Sequence, residues 1–191
     1  MSVSGFIFWG LIAVALIYIV SIYNGLVTLK HSVSKAWANI DVLLKQRHDE
    51  LPKLVETCKQ YMKFEQETLE KVMKARSSVA SAQQQGDIPA LGKAEGAMRL
   101  GLGSLFAVAE AYPDLKADET FQHLQARITG LENAIADRRE FYNESVNNNN
   151  VRIEQFPDLF IARLFNFKLH DLLEFTAEEK SDVNLGQLFG N

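Results

Sequence analysis

The sequence predicts an all-α protein, in which an N-terminal transmembrane helix is followed by an elongated antiparallel bundle of long, coiled-coil-like helices. Three observations support this fold class. Residues 1–29 contain no Lys, Arg, Asp or Glu. Apolar side chains recur at three- and four-residue spacing over two long segments, 37–82 and 121–153, as they do on helices that pack lengthwise. Polar segments with Gly or Pro separate these runs and predict the turns between helices.

Residues 5–23, GFIFWGLIAVALIYIVSIY, form the first element. As a helix they extend about 28 Å at ~1.5 Å per residue, close to a bilayer core of about 30 Å. A cleaved signal peptide is the main alternative, but the N-terminus lacks a basic residue and no Ala-x-Ala site follows. A buried core helix is disfavoured because its apolar surface on every side would need a larger soluble domain. We therefore expect an anchor domain, 1–29, that contacts the lipid bilayer through residues 5–23.

The flanks of this segment predict its orientation. Trp9 lies near one end and Tyr18 and Tyr23 near the other, where amphipathic rings suit the membrane interfaces. Lys30 and Lys35 precede the first acidic residue, whereas the other flank offers only the amino group of the chain. Because cytoplasmic loops carry the positive excess, we expect a single-pass inner-membrane protein with a short N-terminus outside and a cytoplasmic body.

A heptad pattern begins at Trp37 and continues to residue 82, with eleven of its fourteen inward positions apolar. This pattern predicts a long helix packed on others at shallow crossing angles. Pro52 lies inside the pattern and lacks an amide donor, which predicts a kink; alternatively, it begins a second helix capped by Asp49. A kinked, nearly continuous helix is favoured because the heptad keeps its phase across the proline.

The next turn is predicted in the polar segment 81–89, where Gly86 would end one helix and Asp87 and Pro89 would begin another. Each glycine in a helix costs about 1 kcal/mol relative to alanine, so the glycine-rich helix that follows, 90–111, needs an explanation. Close approach of a neighbour is favoured over a phosphate-binding loop, because no Gly-Lys-Ser/Thr sequence or preceding strand is present. The glycines concerned are Gly92, Gly96, Gly101 and Gly103.

The segment AYPDLKADE, 111–119, is predicted to be a corner between helices. Tyr112 precedes a proline and is disfavoured in helical geometry, and Asp118 with Glu119 suits the start of a new helix. The helix after the corner carries an apolar stripe over about 33 residues, or about 50 Å. Its members are Phe121, Leu124, Ile128, Leu131, Ile135, Tyr142, Val146, Asn150 and Ile153.

Phe156-Pro157 is predicted to end that helix, and Asp158 begins the most apolar segment after the anchor, 158–175. Its apolar residues cover more than one helical face, so three interpretations stay open: core packing, contact with another subunit, or an interfacial helix that touches lipid. The helical body is thus expected to occupy 30–175. The polar segment 176–191 is predicted to be a mobile tail.

No set of side chains in the sequence predicts a catalytic, cofactor-binding or metal site. Cys58 is the only cysteine, which excludes an internal disulfide and a cysteine zinc cluster. The body is net acidic without a basic stripe, which disfavours nucleic-acid binding, and a slender bundle offers no obvious cleft for a small-molecule substrate. The four histidines lie on different segments with no metal-binding spacing between them: His31, His48, His123 and His170.

Two arginines interrupt otherwise apolar patterns at positions that a packed helix would fill with carbon. These are Arg47 and Arg138. Either the long side chains reach solvent, or each forms a buried ion pair that fixes helix register. The acids considered as partners are Glu65, Glu132 and Asp137.

Several short blocks follow one another along residues 20–170. They are Tyr23-Asn24-x-Leu-Val27, Ala36-Trp37-x-x-Ile40-Asp41-Val42-x-Leu44, Leu51-Pro52-x-Leu-Val55-Glu56, Ala109-Glu-Ala-Tyr-Pro-Asp-Leu-Lys116, Glu132-Asn133-x-Ile135, Tyr142-Asn143-x-x-Val146 and Phe156-Pro157. Taken in order, these blocks resemble the LemA family. The resemblance implies a single-span bacterial membrane protein with a cytoplasmic antiparallel helical bundle, and it brings no catalytic residues. The run 147–150 is richer in asparagine than the family pattern, which predicts a weaker helix there.

The resemblance and the apolar patterns together favour two functions. The first is a non-enzymatic membrane-anchored scaffold that forms homo-oligomers through the bundle and the apolar segment 156–175. The second is an adaptor or regulator of a membrane protease or envelope-stress system, with the corner 112–116 as its contact surface. As partners, the resemblance implies a membrane metalloprotease or a TPM-domain protein.

Overall fold

The computed structural model describes residues 3–174 and confirms the all-α class, because no strand occurs within that range. Residues 165–174 follow the last helix without regular structure. The predicted mobile tail, 176–191, lies outside the described residues. Six helices follow one another along the chain: α1 (Val3–Tyr61), α2 (Gln66–Gln85), α3 (Ile88–Ala109), α4 (Pro113–Ala117), α5 (Glu119–Glu154) and α6 (Asp158–Leu164).

The described residues divide into two compact units, and α1 and α5 contribute to both. Unit 1 holds residues 3–39 and 140–172, and unit 2 holds 40–139 and 173–174. The domain boundaries expected from composition, after residues 29 and 175, stay a prediction.

In unit 2, α2 and α3 form a helical hairpin whose turn chemistry matches the sequence prediction. Gly86 adopts a left-handed conformation with φ +66°, and the chain turns there because glycine carries no Cβ to oppose it. The Asp87 carboxylate then caps α3 by accepting a hydrogen bond of 2.9 Å from the Ala90 amide.

The two longest helices that contribute to unit 2, α1 and α5, pair antiparallel. Arg47 of α1 contacts Glu132 of α5, and Tyr61, fourteen residues later on α1, contacts Asp118 just before α5. The predicted apolar patterns supply much of the core between these elements, and Leu69 and the buried residues of α3 and α4 complete it. Its buried members include Ile40, Leu44, Leu51, Leu54, Cys58, Leu69, Val72, Val79, Leu91, Met98, Leu105, Leu115, Phe121, Leu124, Ile128 and Ile135.

The heptad segment 37–82 is not one helix, so that prediction was wrong in part. The helix passes through Pro52, as favoured, but α1 ends at Tyr61 and α2 begins at Gln66. The break is held by contacts distant in sequence. Tyr61 donates a hydrogen bond of 3.0 Å to Asp118, and Tyr112 donates one of 3.4 Å to Glu65.

The corner after α3 is more ordered than a simple turn, because Pro113–Ala117 form the short helix α4. Proline suits this first helical position, since it has no amide hydrogen to leave unpaired. Asp118 caps α5 as predicted, accepting a hydrogen bond of 2.8 Å from the Phe121 amide. The corner is therefore two helix starts in succession, with Leu115 buried between them.

In unit 1, α1 and α5 also run antiparallel. The Trp37 ring packs on Tyr142, with ring centroids 5.7 Å apart, and a small core forms around Ile22, Leu26 and Ile153. The asparagine run does not interrupt α5, which continues unbroken to Glu154, so the expectation of a weaker helix gains no support from its course.

The apolar segment after Pro157 is helical only over α6, which is seven residues long. Asn166, with φ +55°, ends the helix in a left-handed conformation that asparagine tolerates better than most residues. The Phe167 amide then donates a hydrogen bond of 2.9 Å to the Ala162 carbonyl, which closes the turn. Ala162 joins the core of unit 1.

Close approach of a neighbour explains Gly92 of α3, because a Cβ there would overlap the carbonyl oxygen of Glu174. A Cβ on Gly101 would lie 3.6 Å from a methyl group of Val72 on α2, which is an ordinary van der Waals contact. At Gly92 the neighbour is the non-helical segment after α6, not the helix that the sequence suggested.

Candidate functional site

The apolar start of α1 is the most exposed hydrophobic surface of the described chain. Among the described helices, α1 is the one long and apolar enough to cross a membrane. Residues 3–21 leave nearly every side chain exposed, including Phe8 at 60% and Ile17 at 70% of its surface. A core helix would be covered on at least one face, so this exposure favours contact with lipid over burial in protein.

Unit 2 contains a buried cluster of charged residues, Arg47, Glu95 and Glu132. The Arg47 side chain is 1% exposed and Glu95 is 3% exposed, whereas Glu132 keeps 22% of its side-chain surface in solvent. Arg47 Nη1 donates to Glu95 Oε2 at 2.9 Å and to Glu132 Oε1, and Arg47 Nη2 donates to Glu95 Oε1. The guanidinium thus joins α1 to α3 and α5 through a bidentate and a single contact.

Burial and the attraction between opposite charges act in opposite directions on the pKa values of Arg47 and Glu95. Burial alone would lower the pKa of Arg47, but Glu95 and Glu132 raise it, so the guanidinium stays charged. Burial raises the pKa of Glu95, and attraction to Arg47 opposes that rise. The arrangement is suited to fixing helix positions, because the polar atoms of Arg47 and Glu95 face one another.

Of the two alternatives left open for the arginines, Arg47 forms the buried ion pair, with Glu132, and Arg138 reaches solvent on α5. Sequence reasoning missed Glu95, although a signal was present. Glu95 stands three residues before buried Met98 and four after buried Leu91, in register with the apolar face of α3.

A cavity of about 210 Å³ lies beside this cluster and is lined by Glu95, Arg99 and Glu132 among polar and small apolar neighbours. Its carboxylates already bind Arg47. Across residues 3–174, no group of three or more His, Cys, Asp or Glu is placed to hold a metal ion. The cavity therefore offers space without an assembled set of reacting groups.

Two of the four histidines share a cavity, and the other two lie apart from it. His48 Nε2 lies 2.6 Å from Arg76 Nη2, and burial together with this arginine lowers the pKa of His48, so the ring accepts the hydrogen bond in its neutral form. His123 is exposed on α5. His31 and His170 line a cavity in unit 1.

The lone cysteine is buried in the core of unit 2. Burial raises the pKa of the Cys58 thiol to about 12, which leaves it protonated and unreactive at neutral pH. Cys58 therefore acts as a small apolar core residue.

Unit 1 presents a second apolar surface, formed by α6 and the residues around it. Phe156, Phe160 and Leu164 are 81%, 62% and 74% exposed. They recur at four-residue spacing, and the Phe156 and Phe160 rings touch edge to face with centroids 5.8 Å apart. Core packing therefore accounts for only part of the segment 156–175, through Ala162 and Leu173. We call the exposed part, Phe156, Phe160 and Leu164, the α6 stripe.

Comparison with known proteins agrees with this architecture. The model of the LemA family matches residues 36–186. Magnetosome protein MamQ 1 and magnetosome protein MamQ 2 of Paramagnetospirillum magneticum are each 25% identical over 190 residues, covering 87% of this chain and 70% of the relative. Magnetosome protein MamQ of Magnetospirillum gryphiswaldense is 25% identical over 169 residues, covering 76% of this chain and 62% of the relative. Because the family match covers most of a helical chain with one candidate membrane span, the protein is a membrane-associated member of the LemA family.

Proposed function

We propose that this chain is a non-enzymatic, membrane-anchored helical scaffold that forms homo-oligomers at the cytoplasmic face of a bacterial inner membrane and organises partners there. The observation that carries the proposal is the α6 stripe, which leaves two phenylalanines and a leucine in solvent. Exposed apolar residues at regular spacing are typical of a surface that another protein covers. The buried charges, in contrast, are already paired with one another, which leaves them no evident catalytic task.

A second copy of the chain is the favoured occupant of the α6 stripe. A single stripe repeated on each copy can be self-complementary, as a two-fold interface requires. The relatives are named as magnetosome proteins, which associates them with a cellular structure. This association supports an organising role for the present chain.

The test is the native mass of the full chain after gentle detergent extraction. We expect an oligomer for the unaltered protein and a smaller species for Phe160→Glu, because the new carboxylate would be buried in the contact. Val42→Glu is the matched control, since Val42 is a 54% exposed apolar residue in unit 2. A monomer at high concentration, or equal masses for the two variants, would refute assembly through this stripe.

The alternative function, an adaptor or regulator of a membrane protease or envelope-stress system, is favoured by the two neighbouring turns of unit 2. The α1–α2 turn exposes 94% of Phe64. Hydrogen bonds from Tyr61 and Tyr112 bring this turn to the corner that exposes Pro113 and Asp114. The site would suit a membrane metalloprotease or TPM-domain partner through an aromatic anchor beside a polar rim.

A photo-crosslinking residue at position 114 tests this alternative in intact cells. We expect adducts with a different membrane protein, and no such adducts from the same probe at the exposed position 74 on α2. Adducts formed only between copies of this chain would support the scaffold in place of the adaptor.

A further inference from the structure

We propose that unit 1 contains a binding site for the phosphate headgroup of an anionic membrane lipid. The site is a cavity of about 480 Å³ next to the expected membrane span. Two lysines and two histidines line it, Lys30, Lys168, His31 and His170, and no Asp or Glu is among its lining residues. Within the described range, no ion pair is formed by either lysine or by either histidine. The positive charge of the two lysines and the hydrogen-bond donors of all four side chains are therefore available to an anion.

The wall opposite α1 is held in place by asparagine side chains of α5. Asn150 accepts a hydrogen bond of 3.0 Å from the His170 amide and donates one of 2.8 Å to the His170 carbonyl. Asn149 donates to the Lys168 carbonyl at 3.4 Å. The asparagine side chains thus pair the backbone amide and carbonyl groups of the non-helical segment after α6, as a neighbouring backbone would. This pairing fixes the segment and so positions Lys168 and His170. The cavity is consequently a built site and not a loose cluster of basic residues.

The position of this cavity along α1 corresponds to the headgroup layer. Tyr23 ends the segment expected to cross the membrane, and its ring contacts Phe165 and Phe167, with centroids 4.8 and 5.9 Å away. Lys30 follows Tyr23 by two helical turns, about 10 Å along the axis. Headgroups and interface add roughly 5–8 Å to each side of the hydrocarbon core, within reach of a long lysine side chain.

A lipid explains the neighbouring apolar residues better than a soluble phosphate does. Phe165, which lines the cavity, is 52% exposed, and Ile19 of the expected span is 40% exposed. The acyl chain of a lipid can cover such residues while the phosphate of the same lipid accepts hydrogen bonds from the lysines. Inorganic phosphate can bind the lysines but leaves the apolar residues uncovered. The inference rests on α1 crossing the membrane and is independent of self-assembly.

Lipid retention by the full chain in detergent, followed by native mass spectrometry, tests the proposal. We expect phosphatidylglycerol to bind at least about tenfold more tightly than phosphatidylcholine, and Lys30→Gln/Lys168→Gln to abolish the difference, because each lysine near a headgroup contributes to anionic-lipid affinity. The matched control is Lys45→Gln/Lys74→Gln, which removes the same charge from exposed positions of unit 2. We expect it to retain the preference.

The variant Asn150→Ala tests whether the lipid preference needs the fixed geometry of the cavity or only the positive charge of the basic residues. It leaves the net charge unchanged but removes both hydrogen bonds to His170, so we expect it to lose the phosphatidylglycerol preference as well. Far-UV circular dichroism checks that all variants stay helical. Equal retention of the two lipids by the unaltered chain, an undiminished preference in the double variant or in Asn150→Ala, or competition by inorganic phosphate at equal affinity would each overturn the assignment.

Discussion

Arg47 is among the largest side chains that unit 2 buries completely. Removing an arginine and a glutamate from water costs several kcal/mol per ion, and their mutual attraction recovers that cost only with good geometry. The bidentate contact with Glu95 and the additional contact with Glu132 provide such geometry. We infer that the cluster contributes more to the choice of helix register than to net stability.

Replacement of Arg47 by methionine is expected to destabilise the full chain by about 3–5 kcal/mol, because Glu95 would be left buried without a counter-ion. The double variant Arg47→Met/Glu95→Met should recover most of this loss, since the acid that remains, Glu132, keeps 22% of its side-chain surface in solvent. Urea unfolding in detergent, followed by circular dichroism, measures both. Arg138→Met, at an exposed position of α5, is the control and should change stability by less than about 0.5 kcal/mol. Purely additive effects of the two core substitutions would contradict a coupled cluster.

Cys58 is expected to resist alkylation in the folded chain. Its thiol has a pKa of about 12 in the fold against 9.0 for an unperturbed cysteine, so the folded state favours the protonated form. The stability from this preference is complete below pH 9 and declines as the pH rises from 9 towards 12. Labelling with iodoacetamide at pH 8, read by mass spectrometry, should modify Cys58 only after denaturation. A cysteine introduced at the exposed position 45 should react at once, and equal rates at the two positions would contradict the burial of Cys58.

Among the elements, the α2–α3 turn is the clearest case in which one residue type is required. Gly86 has φ +66°, where a Cβ costs roughly 1–2 kcal/mol. Gly86→Ala should therefore destabilise the chain by that amount. Gly103→Ala is the matched comparison: it lies inside α3 with nothing within 4 Å of an added Cβ, so helix propensity should stabilise the chain by up to about 1 kcal/mol. The two thermal midpoints should move in opposite directions.

Local chemistry in the sequence was sufficient to predict the helix boundaries that depend on neighbouring residues. Gly86, Asp87 and Asp118 perform the roles expected of them, because caps and left-handed turns are decided within a few residues. The break at 62–65 carries no such signal, and the heptad pattern continues across it. Its hydrogen bonds come from residues 47 and 57 positions away, so only the tertiary structure reveals it.

The same distinction applies to the functional surfaces. The candidate membrane span could be identified in the sequence because the criteria are length and composition. The cavity of unit 1 could not, because Lys30 and Lys168 are far apart in sequence and become neighbours only when Asn149 and Asn150 hold the segment after α6. Asparagines that predicted a weaker helix are instead the residues that anchor this segment.

For the molecule as a whole, association with the membrane should depend on the apolar start of α1. A lysine in place of Val14, which is 65% exposed near the middle of the expected span, adds about 2.5–3.5 kcal/mol to insertion. We expect Val14→Lys to move much of the protein out of the carbonate-resistant membrane fraction. Val42→Lys, at a 54% exposed position of unit 2, should leave that fraction unchanged. Equal extraction of the two variants would contradict a membrane-spanning role for this segment.

The pairing of α1 with α5 in unit 2 also sets an order of events during translation. Arg47 and Glu132 are separated by 85 residues. At roughly 5–20 residues per second, the ribosome takes about 4–17 s to synthesise that interval, during which the nascent guanidinium has at most Glu95 as an acceptor. The inward side of α1 is meanwhile without its distant partner on α5. The contact between α1 and α5 is thus the last contact of the charged cluster to form during synthesis of the chain.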